Sequence, residues 1–209
     1  MTKKKAEVSK VAGALYDLVT TSPTSKLPQA ANPQQASLDI IKMAAWKSAG
    51  VSGALAIPPG PLGMLTILPD LLAIWRIQAQ MVADIAAVHG KSGYLTREAM
   101  LFCLFKHGTS QLLRDVVVRV GERYVLRRTS LRVIERICER LGLRVTQRML
   151  GASISRWIPI AGAVAVGWYT RYDTKQVGQS ALDLFSREID TETTEMKDVG
   201  DDLTERNLP

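Results

Sequence analysis

Residues 48–69 read SAGVSGALAIPPGPLGMLTILP, and none of them carries a charge. A run of that length is what a membrane-spanning helix requires. Pro58, Pro59, Gly60, Pro61 and Gly63 stand at its centre, however, and prolines there remove N–H donors and clash with the preceding turn. The stretch therefore reads as two apolar arms on either side of a backbone break. Pro69 is different: in the first turn of a helix its missing N–H needs no partner and its φ is already helical.

Downstream of Pro69 the spacing predicts a helix to His89, ended by Gly90. Its wheel gathers Leu71, Ile74, Trp75, Ala79, Met81, Val82, Ile85 and Ala86 on one broad face, with Arg76, Gln80 and Asp84 opposite. Asp70 lies in the first turn, where unpaired N–H groups favour a carboxylate, and Gln78 falls inside the apolar face. Asp70 and Gln78 are candidates for a functional role, weighed against capping and core hydrogen bonding. Upstream, Ser37 can cap a helix to about Gly50, with Leu38, Ile41 and Ala45 at helical spacing. The stretch Thr20 to Ala36 contains Pro23, Pro28 and Pro33 and reads as a disordered linker behind a short helix, Ala6 to Val19.

After Gly90, Thr96 can cap a helix from Arg97 to Lys106, and helical patterns follow through Gln111 to Arg127, Ser130 to Leu141 and Leu143 to Ser155. No strand alternation stands out. From Ile158 to about Ile189 a second proline-glycine segment, with Pro159, Gly162 and Gly167, leads into a helix. Its apolar run between Arg156 and Arg171 is short for a spanning segment. Ala163, Gly167, Thr170, Thr174, Gly178 and Ala181 share one face, and such small-residue spacing lets another backbone approach closely. The expected fold is an all-α helical bundle with two Pro/Gly-interrupted apolar segments. Its expected parts are a basic N-terminal segment and disordered linker over 1–36, a helical domain over 37–189 and an acidic disordered tail over 190–209.

The net charge of +7 is unevenly spread: residues 187–209 carry −5, which leaves +12 on residues 1–186. So basic a body attracts phosphate-bearing surfaces, whether lipid headgroups or nucleic acid. Arg128, Arg132, Arg136, Arg140, Arg144 and Arg148 recur every fourth residue, preceded by Arg119, Arg123 and Arg127. Guanidinium forks engage phosphate bidentately, so these are candidate anionic-surface residues; the alternative is a solvated face balanced by Glu135 and Glu139. The acidic tail is a candidate intramolecular partner for them. Two separated cysteines, Cys103 and Cys138, suggest neither a disulfide nor a thiolate site, and a reducing compartment fits. The basic start is followed by no apolar signal region, so the chain is expected to stay inside the cell.

The elements Ile57-Pro-Pro-Gly-Pro-Leu-Gly-Met-Leu-Thr-Ile-Leu-Pro-Asp70, Trp75-Arg-Ile-Gln78 and Ile85-Ala-Ala-Val-His-Gly90 resemble, in this order, the central signature of the EcsC family. Trp157-Ile-Pro-Ile-Ala-Gly-Ala-Val-Ala-Val-Gly167, continuing to Phe185, resembles that family's closing proline-glycine helix. His89 replaces the aromatic residue that commonly precedes the glycine. The family takes its name from a protein encoded beside ABC-transporter components. The resemblance implies a setting at the cytoplasmic side of a membrane, on the lipid or through a membrane partner, and carries over no catalytic residue.

His89 and His107 have no accompanying metal-ligand pattern, and neither a phosphate loop nor a nucleophile elbow is present. No catalytic, cofactor or metal residues are expected. The resulting expectation is a non-enzymatic accessory or scaffold protein of a transporter or envelope complex, peripheral or shallowly inserted at the inner membrane, whose partners are an anionic membrane surface, a membrane protein complex, or both. A soluble nucleic-acid-binding protein is the alternative, supported by the basic body but lacking a recognised reading motif. A hydrolase with an unrecognised site comes third.

Overall fold

The computed structural model describes residues 2–55, 67–113, 116–152 and 159–192. It is mainly all-α, with six helices and one small sheet among those residues. The helices are α1 (Thr2–Thr20), α2 (Pro33–Leu55), α3 (Ile67–Val88), α4 (Arg97–Leu113), α5 (Leu131–Ala152) and α6 (Pro159–Ser186). The strands are β1 (Val117–Val120), β2 (Arg123–Arg127) and β3 (Glu188–Glu192).

Three helices, α2, α3 and α6, pack pairwise against one another. α2 runs antiparallel to the other two: Ser37 near its start meets His89 just past α3, and Ser52 near its end meets Thr170 of α6. α3 and α6 run in the same direction, since Gln78 reaches Asp173 and Thr174 while Lys91, beyond α3, donates to the Arg187 carbonyl beyond α6. α1 lies along α5, and α4 sits at the centre, with Ala99 to Leu104 all buried. Edge-on aromatic pairs tie α4 to its surroundings: Trp75 to Phe105 at 5.8 Å and Phe102 to Tyr124 at 5.7 Å between ring centres.

Local chemistry fixes the ends of α3 and α4. Gly90 adopts φ of +68°, the left-handed conformation that a Cβ disfavours. Lys91 N donates to Ala86 O and Gly90 N to Ala87 O, each at 2.8 Å, which closes α3 in a Schellman motif. A Cβ at Gly90 would also lie 2.8 Å from the Gln29 side chain. Thr96 caps α4 through its hydroxyl, which accepts from Ala99 N at 3.3 Å. Pro69 is in the first turn of α3 and exposed.

The structure departs from the sequence expectations in several places. α2 begins at Pro33, capped by the Asn32 carboxamide oxygen, which accepts from Gln35 N at 3.1 Å. Ser37 is buried inside the helix and donates to Pro33 O at 2.7 Å, so it is no cap. Residues 116–127 form a hairpin where a helix was expected: β1 pairs antiparallel with β2, and Gly121, with φ of +60°, takes the first central position of the two-residue turn. β-branched Val116, Val117, Val118, Val120 and Val125 favour that pleated arrangement. The expected break between Leu141 and Leu143 is absent. Gly142 lies within one continuous α5, where it admits α1: a Cβ there would stand 3.0 Å from Ala12 N and 3.1 Å from Val8 O.

Both ends of the expected domain also move. α1 buries Val11, Leu15 and Val19 in the common core, so the N-terminal segment belongs to the fold. The proline-rich stretch after it follows the surface, with Ala30 N donating to Val88 O at 3.0 Å. α6 stops at Ser186, and residues 188–192 continue as β3, parallel to β2, so Asp190 to Glu192 are strand rather than loose tail. Ile189 is its buried apolar anchor.

Candidate functional site

The small-residue face of α6 packs within the chain. Thr170, Thr174, Gly178 and Ala181 are buried, Gly178 faces Ile41 of α2, and Gly167 lies against the Ala49 carbonyl. A seam of polar groups follows this contact. The Gln78 amide, 1% exposed, donates to Asp173 Oδ2 at 2.9 Å and to Thr174 Oγ1 at 3.2 Å. The Ser52 and Thr170 hydroxyls are 2.9 Å apart. Asp84, on the outer side of α3, accepts from Gln80 Nε2 at 2.9 Å.

The outward faces of α2 and α6 are less usual. Met43 and Trp46 on α2 are 70% and 57% exposed, and Trp168, Tyr169 and Tyr172 on α6 are 71%, 63% and 58% exposed. Arg171 and Trp46 meet where the two antiparallel helices pass, so Trp46 and the exposed rings of α6 stand at a similar level along the pair, with Met43 about one turn nearer the start of α2; together they make an exposed aromatic band. Leu71, Leu72, Ile74 and Ile77, in the corresponding half of α3, are only half-buried, whereas Ile85, Ala86 and Val88 at the opposite end are buried. Arg171 lies over the Trp46 ring at 3.9 Å from its centre. Lys42, Lys47 and Lys175 are exposed beside the band. Exposed apolar and aromatic side chains gathered on neighbouring helices make this the candidate interaction surface. Sequence reasoning missed the aromatic residues. Their signal was available in the Trp46, Trp168, Tyr169 and Tyr172 spacing, but on separate helices it has meaning only once α2 and α6 are known to be neighbours.

Pro58, Pro59, Gly60 and Gly63 lie outside the described residues, as do the side chains of Asp70, His107 and Arg148, while Gly162 falls within the first turn of α6. Pro159 opens α6. Among the described residues, the segment Leu71–Val88 of α3 has the length and mean hydropathy (1.4) of a membrane span, but 61% of it is buried in the protein, which is the signature of a core helix.

The arginine row occupies a different surface. Arg132, Arg136, Arg140 and Arg144 are exposed along α5, and Arg128 is exposed just before it. The arginines of the hairpin are engaged by β3 instead: Arg123 Nε is 2.7 Å from Glu188 and Arg127 Nε is 3.5 Å from Glu192. The first acids of the C-terminal segment therefore pair with the hairpin. Between α1 and α5 a cleft of about 590 Å³ has Val8, Ala12, Tyr16 and Cys138 in its lining and charged Lys5, Glu135 and Arg140 beside them. Burial pushes the Cys138 thiol up to about 12, which keeps it protonated at neutral pH.

Two further polar centres hold elements together. Glu98, buried in the first turn of α4, accepts from Thr129 N at 2.9 Å and so fixes the approach to α5. Asp183 accepts from Tyr124 Oη at 2.5 Å and from Arg187 Nε at 2.8 Å, and pairs with Lys106 at 3.4 Å. Next to α3, burial and then the Lys91 charge pull the His89 imidazole below its ordinary value, so it is neutral beside Ser37. Among the described residues no group of three or more His, Cys, Asp or Glu side chains could hold a metal ion. No protein-family model matches the chain, and no curated protein or solved structure matches it either.

Proposed function

We propose that the protein works at the cytoplasmic face of the inner membrane, attached peripherally or by shallow insertion, as a non-catalytic accessory of a transporter or other envelope complex. The observation that carries this reading is the exposed band of Met43, Trp46, Trp168, Tyr169 and Tyr172, with lysines and arginine beside it. Tryptophan and tyrosine combine an apolar ring with a polar edge and accumulate at the headgroup level of membranes. Lysine and arginine next to them keep their charges in water while their stems cover apolar surface. The uncharged segment 48–69 starts in α2 just after Trp46 and ends in the first turn of α3, so apolar sequence follows the α2 part of the band along the chain. The EcsC resemblance points to the same setting and supplies the transporter context.

Membrane pellets from cells that express the full chain are extracted successively with high salt, alkaline carbonate and detergent. The reading expects retention through the salt wash and release by carbonate or detergent, because hydrophobic contact supplies most of the attraction. Trp168→Ser combined with Tyr169→Ser should shift a large share of the protein to the soluble fraction with its helical content unchanged. Release by salt alone would transfer the anchor to the α5 arginines, a surface equally suited to nucleic acid. Complete recovery in the soluble fraction would overturn direct membrane attachment.

A further inference from the structure

We propose that Arg171, stacked on Trp46 and flanked by Lys42 and Lys175, receives the phosphate of an anionic phospholipid headgroup. This assignment rests on the membrane reading above and gives it a chemical specificity.

The Arg171 guanidinium lies 3.9 Å from the centre of the Trp46 ring, so its plane is held before any ligand arrives. Its side chain is half-buried, and its Nε, shielded from solvent, has no hydrogen-bond partner among the described residues. Guanidinium offers a planar fork that matches two oxygens of one phosphate, and a stacked fork loses little further freedom on binding.

The surroundings favour an anion. Lys42 is one helical turn before Trp46 on α2, and Lys175 is one turn after Arg171 on α6. With the helices antiparallel, both exposed ammonium groups fall on the side of the band away from the end where α6 begins. Asp173, the nearest acid of α6, accepts a hydrogen bond from the buried Gln78 amide. Aromatic rings interleaved with basic side chains suit the interfacial region of an anionic bilayer. A free phosphate ion would account for the fork but leave the exposed rings without a role.

The test is co-sedimentation of the full-length protein with vesicles of phosphatidylcholine, and with vesicles that also contain phosphatidylglycerol. Arg171→Gln should weaken binding to the anionic vesicles about fivefold, the factor that corresponds to about 1 kcal/mol per basic residue near the surface, and leave binding to neutral vesicles unchanged. Lys42→Gln with Lys175→Gln, at two exposed positions that leave the fold undisturbed, should reduce the same preference. Arg132→Gln with Arg140→Gln on α5 should retain it. Unchanged preference in both of the first two variants, or its loss in the α5 variant alone, would overturn the assignment. A wild-type protein that binds both vesicles equally would sink the headgroup site and leave membrane attachment standing, whereas binding to neither would sink both.

Discussion

Gln78 carries a carboxamide into the apolar contact among α2, α3 and α6, and Asp173 and Thr174 accept from its nitrogen. Replacing it by leucine removes the donor to the buried Thr174 hydroxyl and to the part-buried Asp173 carboxylate, and losing those bonds outweighs the gain from added apolar surface. Gln78→Leu should lower the unfolding free energy by about 1–3 kcal/mol, read as a lower urea midpoint with an unchanged slope. Wild-type stability would mean that the polar seam rearranges without loss. The position of Gln78 on the apolar face is legible from the α3 periodicity. Its partners are not, because they lie 95 and 96 residues further along the chain and only the parallel packing of α3 on α6 brings them near.

Elements whose neighbours share their periodicity are the ones the sequence announces. Pro69, Gly90 and Thr96 each act through backbone groups within a few residues, so the start of α3, its end and the start of α4 are readable from local rules. The hairpin is not. Its valine run fits a helix as well as a strand, and Arg119, Arg123 and Arg127, spaced by four, imitate a helical stripe, whereas in the hairpin Arg119 pairs with Tyr124 and so lies on the face opposite Arg123 and Arg127. Glycine is ambiguous in a similar way: Gly142 and Gly178 look like weak points of a helix but mark where a second helix comes close. Alanine at 178 would set its Cβ 2.5 Å from Ile41 Cγ1. Gly178→Ala should therefore destabilise by about 1–3 kcal/mol despite alanine's better helix propensity. Adding Ile41→Ala should recover part of that loss in a double-mutant cycle, and strictly additive effects would show that the two helices do not meet there. The aromatic band was beyond local reading for the same reason, since it requires α2 and α6 side by side.

At the scale of the molecule, Asp183 joins α6 to α4 through Lys106 and to the hairpin through Tyr124. Burial raises its carboxyl, but hydrogen bonds from Tyr124 and Arg187 and the charges of Lys106 and Arg187 outweigh it and hold the group below its ordinary 3.8. The folded state consequently binds this proton less readily than the unfolded chain. The stabilisation is in place above about pH 4 and disappears as pH falls through the lowered value. Asp183→Asn should lower the melting temperature at neutral pH and flatten the acid limb of the stability profile; an acid limb as steep as that of the wild type would assign it to other carboxylates.

The parallel pairing of β3 with β2 also has a temporal side. The β1–β2 turn closes over two residues, while β3 can reach β2 only after the intervening α5 and α6 have been synthesised and docked, because such distant pairing must overcome loop-closure entropy first. Until then the outer edge of β2 is an open template for strands of other molecules, a known route to aggregation. Arg123 and Arg127 on that strand, met later by Glu188 and Glu192, supply like-charge repulsion between copies during the wait and attraction once the chain's own strand arrives. The acidic strand thus makes the last long-range closure of the sheet, and the charges that hold it there also guard its place beforehand.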